Sequence, residues 1–443
     1  MKDVGAGLVP ALRGEMTTKF INAKIMENAF ADIYSGEVIV ENEKIIYAGG
    51  NSGYYKTDKV IDVKQNLLMS GFCNTHCHSA MTLFRGIKDD APLSEWLFDN
   101  IFKLEANLKP EHVYWGTMLA IAEYVRGGVT AFADMYYFPD EVVAAVQKSK
   151  MRAVLCGAVS DINSSYEKEI EKLESNYLKY NKISENINYM LGCHAQYTCS
   201  DNLICGISDL AYKYKSPTYI HLSETLDEVG KCDAAMGLSP PAYLHKAGFF
   251  DFGGIAAHCV HVDKDDIDLL KSKNVYASIN CCSNLKLASG IPPVFSMQNR
   301  GLKTVLGTDG AASNNQLSMF KEMHMYSVLS KASMSDAACG KAEDSINAAT
   351  GEGYKALNLN GGGIKAGNYA DLIIVDLNAP NMRPINDIKS NLVFSADTSS
   401  IKTTMVKGNI LYENGKYNIG ENINDIYKNA EKCIRELKKL SKV

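Results

Sequence analysis

The sequence predicts an α/β protein, a TIM (β/α)8 barrel with a small composite β-sandwich domain formed from both chain ends. The main observation is the alternation of apolar strand-like runs with helical segments between Leu67 and Thr350, which is typical of βα units. Hairpin-like sequence flanks this region on both sides, with short β-type runs separated by glycine, asparagine and aspartate. The length of 443 residues accommodates a barrel of about 250 residues and a smaller domain.

The alternating region contains eight strand-like runs, the number of strands in a TIM barrel. Helix signals lie between them: Pro110 begins one helix in its first turn, an apolar face follows, and Gly127 ends it. We predict barrel strands over Leu67–Phe72, Thr130–Asp134, Ala153–Val159, Asn188–Gly192, Thr218–Ile220, Gly254–Ala257, Val275–Ile279 and Thr304–Gly307.

The remaining segments divide by their patterns. Residues 1–16 show no periodicity and end on a methionine, so we expect a leader or vector-derived segment there. Residues 17–66 and 361–420 are expected to form the composite β domain, and residues 67–360 the barrel. Residues 421–443 predict a C-terminal surface helix. Its apolar stripe consists of Ile426, Ala430, Cys433 and Leu437.

Composition excludes several classes of protein. Hydrophobic residues make up 46% and charged residues 22% of the chain, which excludes disordered and fibrous architectures. A formal net charge of -5 without a long basic block argues against a nucleic-acid surface. No run of about 18 apolar residues could span a bilayer, and the 12 cysteines lack the spacing of a disulfide scaffold. We therefore expect a cytoplasmic protein with a small-molecule partner, and a homo-oligomer is left open.

Polar residues with metal-binding or acid–base chemistry follow five of the predicted strands. All lie at carboxyl ends, the face at which TIM-barrel enzymes build their sites. The sequence therefore predicts one site at the mouth of the barrel. The residues are His76 and His78 after the first strand, His194 after the fourth, His221 after the fifth, His258 after the sixth and Asp309 after the eighth.

Four of these residues form a candidate set of metal ligands. His76 and His78 are two positions apart on an extended segment, so both imidazoles point to the same side. That pattern alone also occurs in surface or core histidines. With His221 and Asp309 added, the set has three imidazoles and one carboxylate, which suits Zn²⁺ or another borderline divalent ion.

Glu224 and His258 are candidates for acid–base chemistry. Glu224 lies three residues after His221 and is well placed to reach the substrate side of that ligand, as a general acid or base would. A helix-capping glutamate is the alternative. His258 leaves an apolar strand towards the same mouth, where a packed core histidine is the alternative.

Several phrases of the sequence resemble the amidohydrolase superfamily, in particular its 5′-methylthioadenosine/S-adenosylhomocysteine deaminase branch and the nearby triazine chlorohydrolases. The resemblance covers Thr18 to about Tyr417. It implies that His76, His78, His221 and Asp309 bind one metal. The phrases are GFCNTHCHSAMTLFRGIKDDAPLSEWL, IHLSET, AAHCVH, SNLKLASGI and GTDGAASNN.

The resemblance also implies roles for residues that spacing does not single out. Trp96 matches an aromatic wall on the base, Glu105 a carboxylate toward the ribose hydroxyls, and His194 a histidine near the nucleoside. Binuclear relatives place a carboxylated lysine at the end of the fourth strand, where this chain has Cys193-His194. We therefore expect one divalent metal per chain, zinc first and iron second.

Two departures from the family pattern concern the walls of the site. After the seventh strand the family usually has His-Asn-Pro-x-Ser-Asn, whereas residues 279–284 read INCCSN. Residues 161–171, after the third strand, contain no arginine. Relatives that accept S-adenosylhomocysteine tend to carry arginines there for its carboxylate.

The expected activity is metal-dependent hydrolytic deamination of an adenine nucleoside, namely 5′-methylthioadenosine, adenosine or S-adenosylhomocysteine. Glu224, His258 and Asp309 are the expected catalytic residues, with Glu224 protonating a ring nitrogen of the base. Trp96, Glu105, His194 and Glu224 are the expected substrate contacts. The alternatives are a guanine or oxidised-purine deaminase, a triazine chlorohydrolase, and a non-catalytic nucleoside-binding relative.

Overall fold

The computed structural model describes residues 16–91, residue 93 and residues 95–441. The predicted leader, apart from Met16, lies outside the described residues. Within the described chain the strands form two sheets. The strands are β1 (Thr17–Met26), β2 (Tyr34–Glu41), β3 (Lys44–Gly49), β4 (Lys59–Asp62), β5 (Leu67–Ser70), β6 (Phe72–Cys77), β7 (Val129–Met135), β8 (Arg152–Cys156), β9 (Ile187–Ala195), β10 (Thr218–Leu222), β11 (Gly254–His258), β12 (Val275–Ile279), β13 (Lys303–Leu306), β14 (Leu372–Val375), β15 (Ile401–Val406), β16 (Asn409–Glu413) and β17 (Lys416–Tyr417).

The barrel sheet contains eight parallel strands that follow one another in chain order, from β6 to β13. Its first and last strands meet, because the Thr75 hydroxyl donates to the Leu306 carbonyl at 2.9 Å and the Asp309 amide donates to the His76 carbonyl at 2.9 Å. The strands are buried along almost their whole length, as expected for a parallel sheet covered by helices. The predicted TIM barrel is confirmed.

The second sheet is mixed and takes strands from both chain ends, as predicted. Its order is β17-β16-β15-β14-β5-β1-β2-β3, and β4 pairs with β1. β5 lies between the two halves, parallel to β1 and antiparallel to β14. The sheet therefore depends on strands separated by the whole barrel in sequence.

The prediction of the first barrel strand was wrong. The run Leu67–Phe72 was assigned to the barrel, but Leu67–Ser70 belongs to the mixed sheet and the barrel strand is Phe72–Cys77. The two strands are divided at Gly71, where a Cβ would lie 2.3 Å from the Thr130 side chain. A continuous apolar run fits a buried strand of either sheet, so hydrophobicity alone does not reveal the division.

Helices connect the barrel strands and cover the outside of the barrel. Short 3-10 turns and a π-helical segment, Glu95–Ile101, supplement them. The helices are α1 (Phe102–Glu105), α2 (Pro110–Arg126), α3 (Pro139–Ser149), α4 (Tyr166–Tyr180), α5 (Asp201–Tyr214), α6 (Leu226–Met236), α7 (Pro240–Lys246), α8 (Lys264–Ser272), α9 (Cys281–Lys286), α10 (Val294–Arg300), α11 (Ala311–Asn314), α12 (Met319–Met334), α13 (Ala342–Ala349), α14 (Gly351–Ala356), α15 (Ile388–Phe394) and α16 (Ile423–Ser441).

The terminal helix α16 has the stripe that the sequence predicts. Ile426, Ala430, Cys433 and Leu437 are all buried, one face of an amphipathic helix. No helix of the described chain is long and apolar enough to cross a membrane.

A buried ion pair joins the barrel to the mixed sheet at the end opposite the mouth. The Arg152 guanidinium, at the start of β8, contacts the Asp371 carboxylate next to β14, and both side chains are at most 1% exposed. The Lys407 amide and the Tyr354 hydroxyl also donate to that carboxylate, at 2.8 and 2.9 Å. Removing the cation would therefore leave a buried carboxylate without its countercharge.

We expect Arg152→Ala to lower the free energy of unfolding by about 3–5 kcal/mol, because a buried charge then lacks its partner. Urea unfolding measures this change. Arg300→Ala, which breaks an exposed ion pair with Asp268, is the matched control and should leave the midpoint unchanged. Equal effects of the two substitutions would contradict the assigned role of the buried pair.

Candidate active site

The residues predicted for the site converge at the carboxyl ends of the barrel strands. The strands reach further than predicted, so that His76, His194 and His221 lie inside β6, β9 and β10 instead of after them, and His258 ends β11. Asp309 follows β13 by three residues. The expectation that the site residues lie at the carboxyl ends of the strands identified the correct face of the barrel. The predicted ends of the strands were wrong by a few residues.

The candidate ligand atoms lie close enough for one metal ion. The donor atoms of His76, His78 and His221 lie within 4.8 Å of one another, and so do those of His76, His258 and Asp309. Asp309 Oδ1 is 3.4 Å from His76 Nε2 and 3.2 Å from His78 Nε2. His221 Nε2 is 3.3 Å from His78 Nε2.

The tautomer of His76 follows from its hydrogen bonds. The Tyr219 hydroxyl donates its only hydrogen to the Thr75 carbonyl at 2.7 Å, because a carbonyl can only accept. His76 Nδ1, 2.8 Å from the same hydroxyl oxygen, must therefore donate to it. This leaves a lone pair on Nε2, which is buried and has no hydrogen-bond partner in the described part of the chain. A divalent cation fits this unpaired atom.

His78 and His221 also donate through Nδ1. His78 Nδ1 donates to the Met135 carbonyl at 2.6 Å, and His221 Nδ1 donates to the His194 carbonyl at 2.7 Å. Nε2 is therefore the nitrogen that each ring can offer to a metal. The two Nε2 atoms lie 3.3 Å apart, close enough to bind the same ion, so the donor set fits a metal.

The carboxylate of Asp309 is held by three donors. The Ser283 hydroxyl and the Ser313 hydroxyl donate to Oδ2, the latter at 2.9 Å, and the Gly310 amide donates to Oδ1 at 2.8 Å. These contacts orient the carboxylate, whose backbone has the unusual φ of 59°. The serines 283 and 313 are site residues that the sequence analysis missed.

The protonation states favour metal binding. Burial lowers the pKa of His76 to about 3 and holds that of His221 well below its ordinary value, so both rings are neutral. Burial also opposes protonation of His78, but the hydrogen bond and charge of Asp309 outweigh it and raise the pKa of this ring to about 9, so a metal would displace a proton from it. Burial opposes ionisation of Asp309, but the adjacent imidazoles of His76 and His78 outweigh it and hold the pKa of this carboxyl well below its usual range. Neutral imidazoles and a carboxylate are the forms that bind divalent metals.

Glu224 reaches the same cavity because the chain turns sharply after β10. In a continued strand, residues 221 and 224 would face opposite sides. Ser223 has a φ of 50°, and this turn brings Glu224 beside His221 in the cavity lining. Burial raises the pKa of the Glu224 carboxyl, whose Oε1 accepts a hydrogen bond from the Ser289 hydroxyl at 3.2 Å. The carboxyl therefore keeps its proton at a higher pH than an exposed glutamate does.

His258 lies next to Glu224 and is oriented by the altered wall after β12. Its Nδ1 lies 2.7 Å from Asn284 Oδ1, and its Nε2 lies 3.8 Å from Glu224 Oε2. Asn284 and Ser283 both belong to helix α9 (Cys281–Lys286), so this segment orients His258 and Asp309. The wall thus has a defined hydrogen-bonding function despite its departure from the family pattern.

The residues expected to contact substrate also line the cavity. Trp96, Glu105 and His194 border it together with the candidate metal ligands. Glu105 is half-buried, its Oε1 is buried without a hydrogen-bond partner among the described residues, and desolvation raises its pKa to about 7. Tyr136, directly after β7, likewise has a buried hydroxyl without a partner there and was missed by the sequence analysis. The position of Tyr136 directly after a barrel strand could have identified it from the sequence as a residue of the site.

A side cavity of about 750 Å³ adjoins this cavity. The two share Glu105, Tyr137 and His194. The side cavity extends to helix α4, where Glu169 and Lys172 form an ion pair of 3.6 Å. Its aromatic and aliphatic walls suit an apolar group on a ligand held by the main cavity.

Comparison with known proteins agrees with this architecture. The Amidohydrolase family profile matches residues 67–411, so the chain belongs to the amidohydrolase family. It is 40% identical to the 5'-deoxyadenosine deaminase of Methanocaldococcus jannaschii over 397 residues, 88% of this chain and 94% of that protein. It is 41% identical to the 5-methylthioadenosine/S-adenosylhomocysteine deaminase of Dictyoglomus thermophilum over 368 residues, 82% of this chain and 86% of that protein.

A solved structure resembles the whole chain. The crystal structure of an adenosine deaminase from Xanthomonas campestris with bound zinc superposes with a TM-score of 0.91 and 29% identity, covering 96% of this chain and 99% of that chain. The family and the histidine–aspartate cluster indicate a divalent metal site in this protein.

We expect Tyr219→Phe to weaken metal binding by about 10- to 100-fold, because the hydroxyl fixes the tautomer and orientation of His76. Metal affinity measured by competition with a chromogenic chelator tests this. Tyr326→Phe is the matched control, since that buried hydroxyl contacts Thr304 and not a candidate ligand. Unchanged affinity in Tyr219→Phe would show that the hydroxyl does not orient a ligand.

Proposed function

We propose that the protein is a metal-dependent hydrolase that deaminates adenine nucleosides, with one zinc ion per chain. The observation that carries the proposal is the convergence of three imidazole Nε2 atoms, the Asp309 carboxylate and the buried acid Glu224 on one cavity. Relatives named deaminases of adenine nucleosides, about 40% identical over most of the chain, support the substrate class.

His76, His78, His221 and Asp309 would hold the metal. When bound, the metal would lower the pKa of a water toward about 7 and so supply a hydroxide nucleophile. A single ion is proposed because Cys193-His194 stands where binuclear relatives have a bridging lysine. Zinc is supported by this nitrogen and oxygen donor set and by the zinc in the related deaminase structure.

Three residues move or hold protons in the proposed reaction. Glu224 donates its proton to the ring nitrogen beside the carbon under attack, a step for which its raised pKa suits it. His258, once protonated at Nε2, stabilises the new oxygen on that carbon. Asp309 accepts one proton of the attacking water and passes it to the departing ammonia, and the second proton of that water returns to Glu224 as the new carbonyl forms.

The rest of the cavity would orient the nucleoside. Trp96 is 5% exposed and offers an apolar wall for the base. The buried Oε1 of Glu105 suits the ribose hydroxyls, because a polar atom removed from water needs a hydrogen-bond partner. His194 completes this side of the cavity, and the side cavity next to it would take the 5′ substituent.

The proposed activity is tested by measuring ammonia release from the zinc-loaded protein. We expect turnover of adenosine, 5′-deoxyadenosine or 5′-methylthioadenosine, and Glu224→Gln should lower kcat by roughly 10²-fold or more while retaining zinc, because the amide cannot transfer the proton. Preferential turnover of guanine or a chlorotriazine would contradict the substrate class. Near-normal turnover by Glu224→Gln would remove this residue from the mechanism.

The charges around the side cavity bear on which 5′ substituent the protein accepts. Among the described residues that line the side cavity, the cation is Lys172, which is paired with Glu169. A lysine does not provide the planar two-point contact that arginine makes with a carboxylate. Without a charged contact of about 1.5–3 kcal/mol, kcat/KM for S-adenosylhomocysteine should be about 10- to 150-fold below that for 5′-methylthioadenosine.

Parallel kinetics with the two nucleosides provide the measurement. Lys172→Met is the companion variant, and it should change the ratio of the two kcat/KM values by less than about threefold, because its ammonium is already neutralised. A preference for S-adenosylhomocysteine that disappears in Lys172→Met would show instead that this lysine binds the tail.

A further inference from the structure

The turn that directs Glu224 into the cavity has an unfavourable backbone conformation. Ser223 has a φ of 50°, in the left-handed region, which is unfavourable for a residue with a side chain. Its own hydroxyl is buried without a partner among the described residues and therefore does not stabilise the turn. Other contacts must hold it.

Glu228 supplies those contacts. Its side chain is 2% exposed, and both carboxylate oxygens accept backbone hydrogen bonds: Oε1 from the Ser223 amide at 2.7 Å and Oε2 from the Glu224 amide at 2.8 Å. The carboxylate thus binds the two consecutive amides that define the turn. The Ser223 carbonyl also accepts a hydrogen bond, from the His261 amide at 2.9 Å.

This arrangement differs from ordinary helix capping. In the next βα unit, Asp266 of α8 accepts a hydrogen bond from the amide of its N-cap residue, Asp263, as in a capping box. Glu228 is at the same position of α6, but its carboxylate extends past the N-cap residue Thr225 to the two residues before it. Glu228 therefore connects the helix to the catalytic turn.

The position of Glu228 is costly for stability. Burial raises its pKa to about 7, and no lysine or arginine in the described chain is paired with it. A carboxylate removed from water without a cation is destabilising unless its hydrogen bonds compensate. Asparagine or glutamine could cap the helix at lower cost, but only a carboxylate offers acceptors to both amides.

We propose that Glu228 is a positioning residue for Glu224: its two hydrogen bonds hold the Ser223–Glu224 turn so that the Glu224 carboxyl faces the substrate. The inference rests on the proposed function. Glu228→Gln places an amide NH₂ against one of the two backbone N–H groups, so that contact becomes repulsive. The turn then relaxes, and Glu224 moves away from its productive position.

We expect Glu228→Gln to retain the metal and to lower kcat by about 10- to 100-fold with KM changed less than about threefold, because a displacement of about 1 Å in a catalytic group has effects of this size. Asp266→Asn, the same change in the neighbouring capping box, should leave kcat unchanged. Glu228→Asp, which keeps both acceptor oxygens but is shorter, is the second variant if the glutamine variant does not fold, and a smaller fall in kcat is expected.

The decisive comparison combines each Glu228 variant with Glu224→Gln. If Glu228 acts through Glu224, the double variant should be no more than about threefold slower than Glu224→Gln alone, because the effects are not additive within one unit. Additive losses in the double variants, or variants of Glu228 indistinguishable from Asp266→Asn, would overturn the inference. Failure of the proposed function is recognised separately, since the unmodified protein would then release no ammonia from any adenine nucleoside.

Discussion

Three hydrogen bonds from imidazole Nδ1 atoms determine what the mouth of this barrel can bind. His76 donates to the Tyr219 hydroxyl oxygen, His78 to the Met135 carbonyl and His221 to the His194 carbonyl. Because each Nδ1 is committed, Nε2 is the atom that each ring can offer to a metal, and the three Nε2 atoms face the same volume beside the Asp309 carboxylate. The two carbonyl acceptors are part of neighbouring barrel strands, so the closed sheet itself fixes the tautomers of His78 and His221.

Two of the residues proposed for acid–base chemistry depend on backbone geometry that departs from regular structure. Ser223 and Asp309 both have positive φ values, 50° and 59°, and each holds a carboxyl group at the cavity. Buried hydrogen bonds stabilise both turns: Glu228 binds the first, and Ser283 with Ser313 binds the side chain at the second. Such strain at a site is consistent with a structure selected for chemistry at some expense of stability.

The fold and most of the site could be predicted because their signals are local. Strands and polar residues alternate along the chain, and the carboxyl ends of parallel strands meet at one face, so His221 and His258 could be assigned there from position alone. The family resemblance supplied Trp96 and Glu105. The division of Leu67–Phe72 between two sheets could not be predicted, because pairing partners far apart in sequence decide it.

The contacts that orient the site residues were also beyond prediction. Tyr219 lies inside a strand like other core aromatic residues, and its contact with His76 spans 143 positions of sequence. Glu228 has the sequence position of a normal capping residue, although its carboxylate extends past the N-cap in the folded protein. The sequence spacing of such residues does not reveal these contacts, because they form only when the chain has folded.

Anomalous X-ray diffraction at the zinc absorption edge, from crystals of the zinc-loaded protein, tests the central claim most directly. The account predicts about one anomalous peak per chain, bounded by the Nε2 atoms of His76, His78 and His221 and a carboxylate oxygen of Asp309, at zinc–ligand distances of about 2.0–2.2 Å. Two peaks at the barrel mouth, or a single peak that any of these four side chains does not contact, would contradict it.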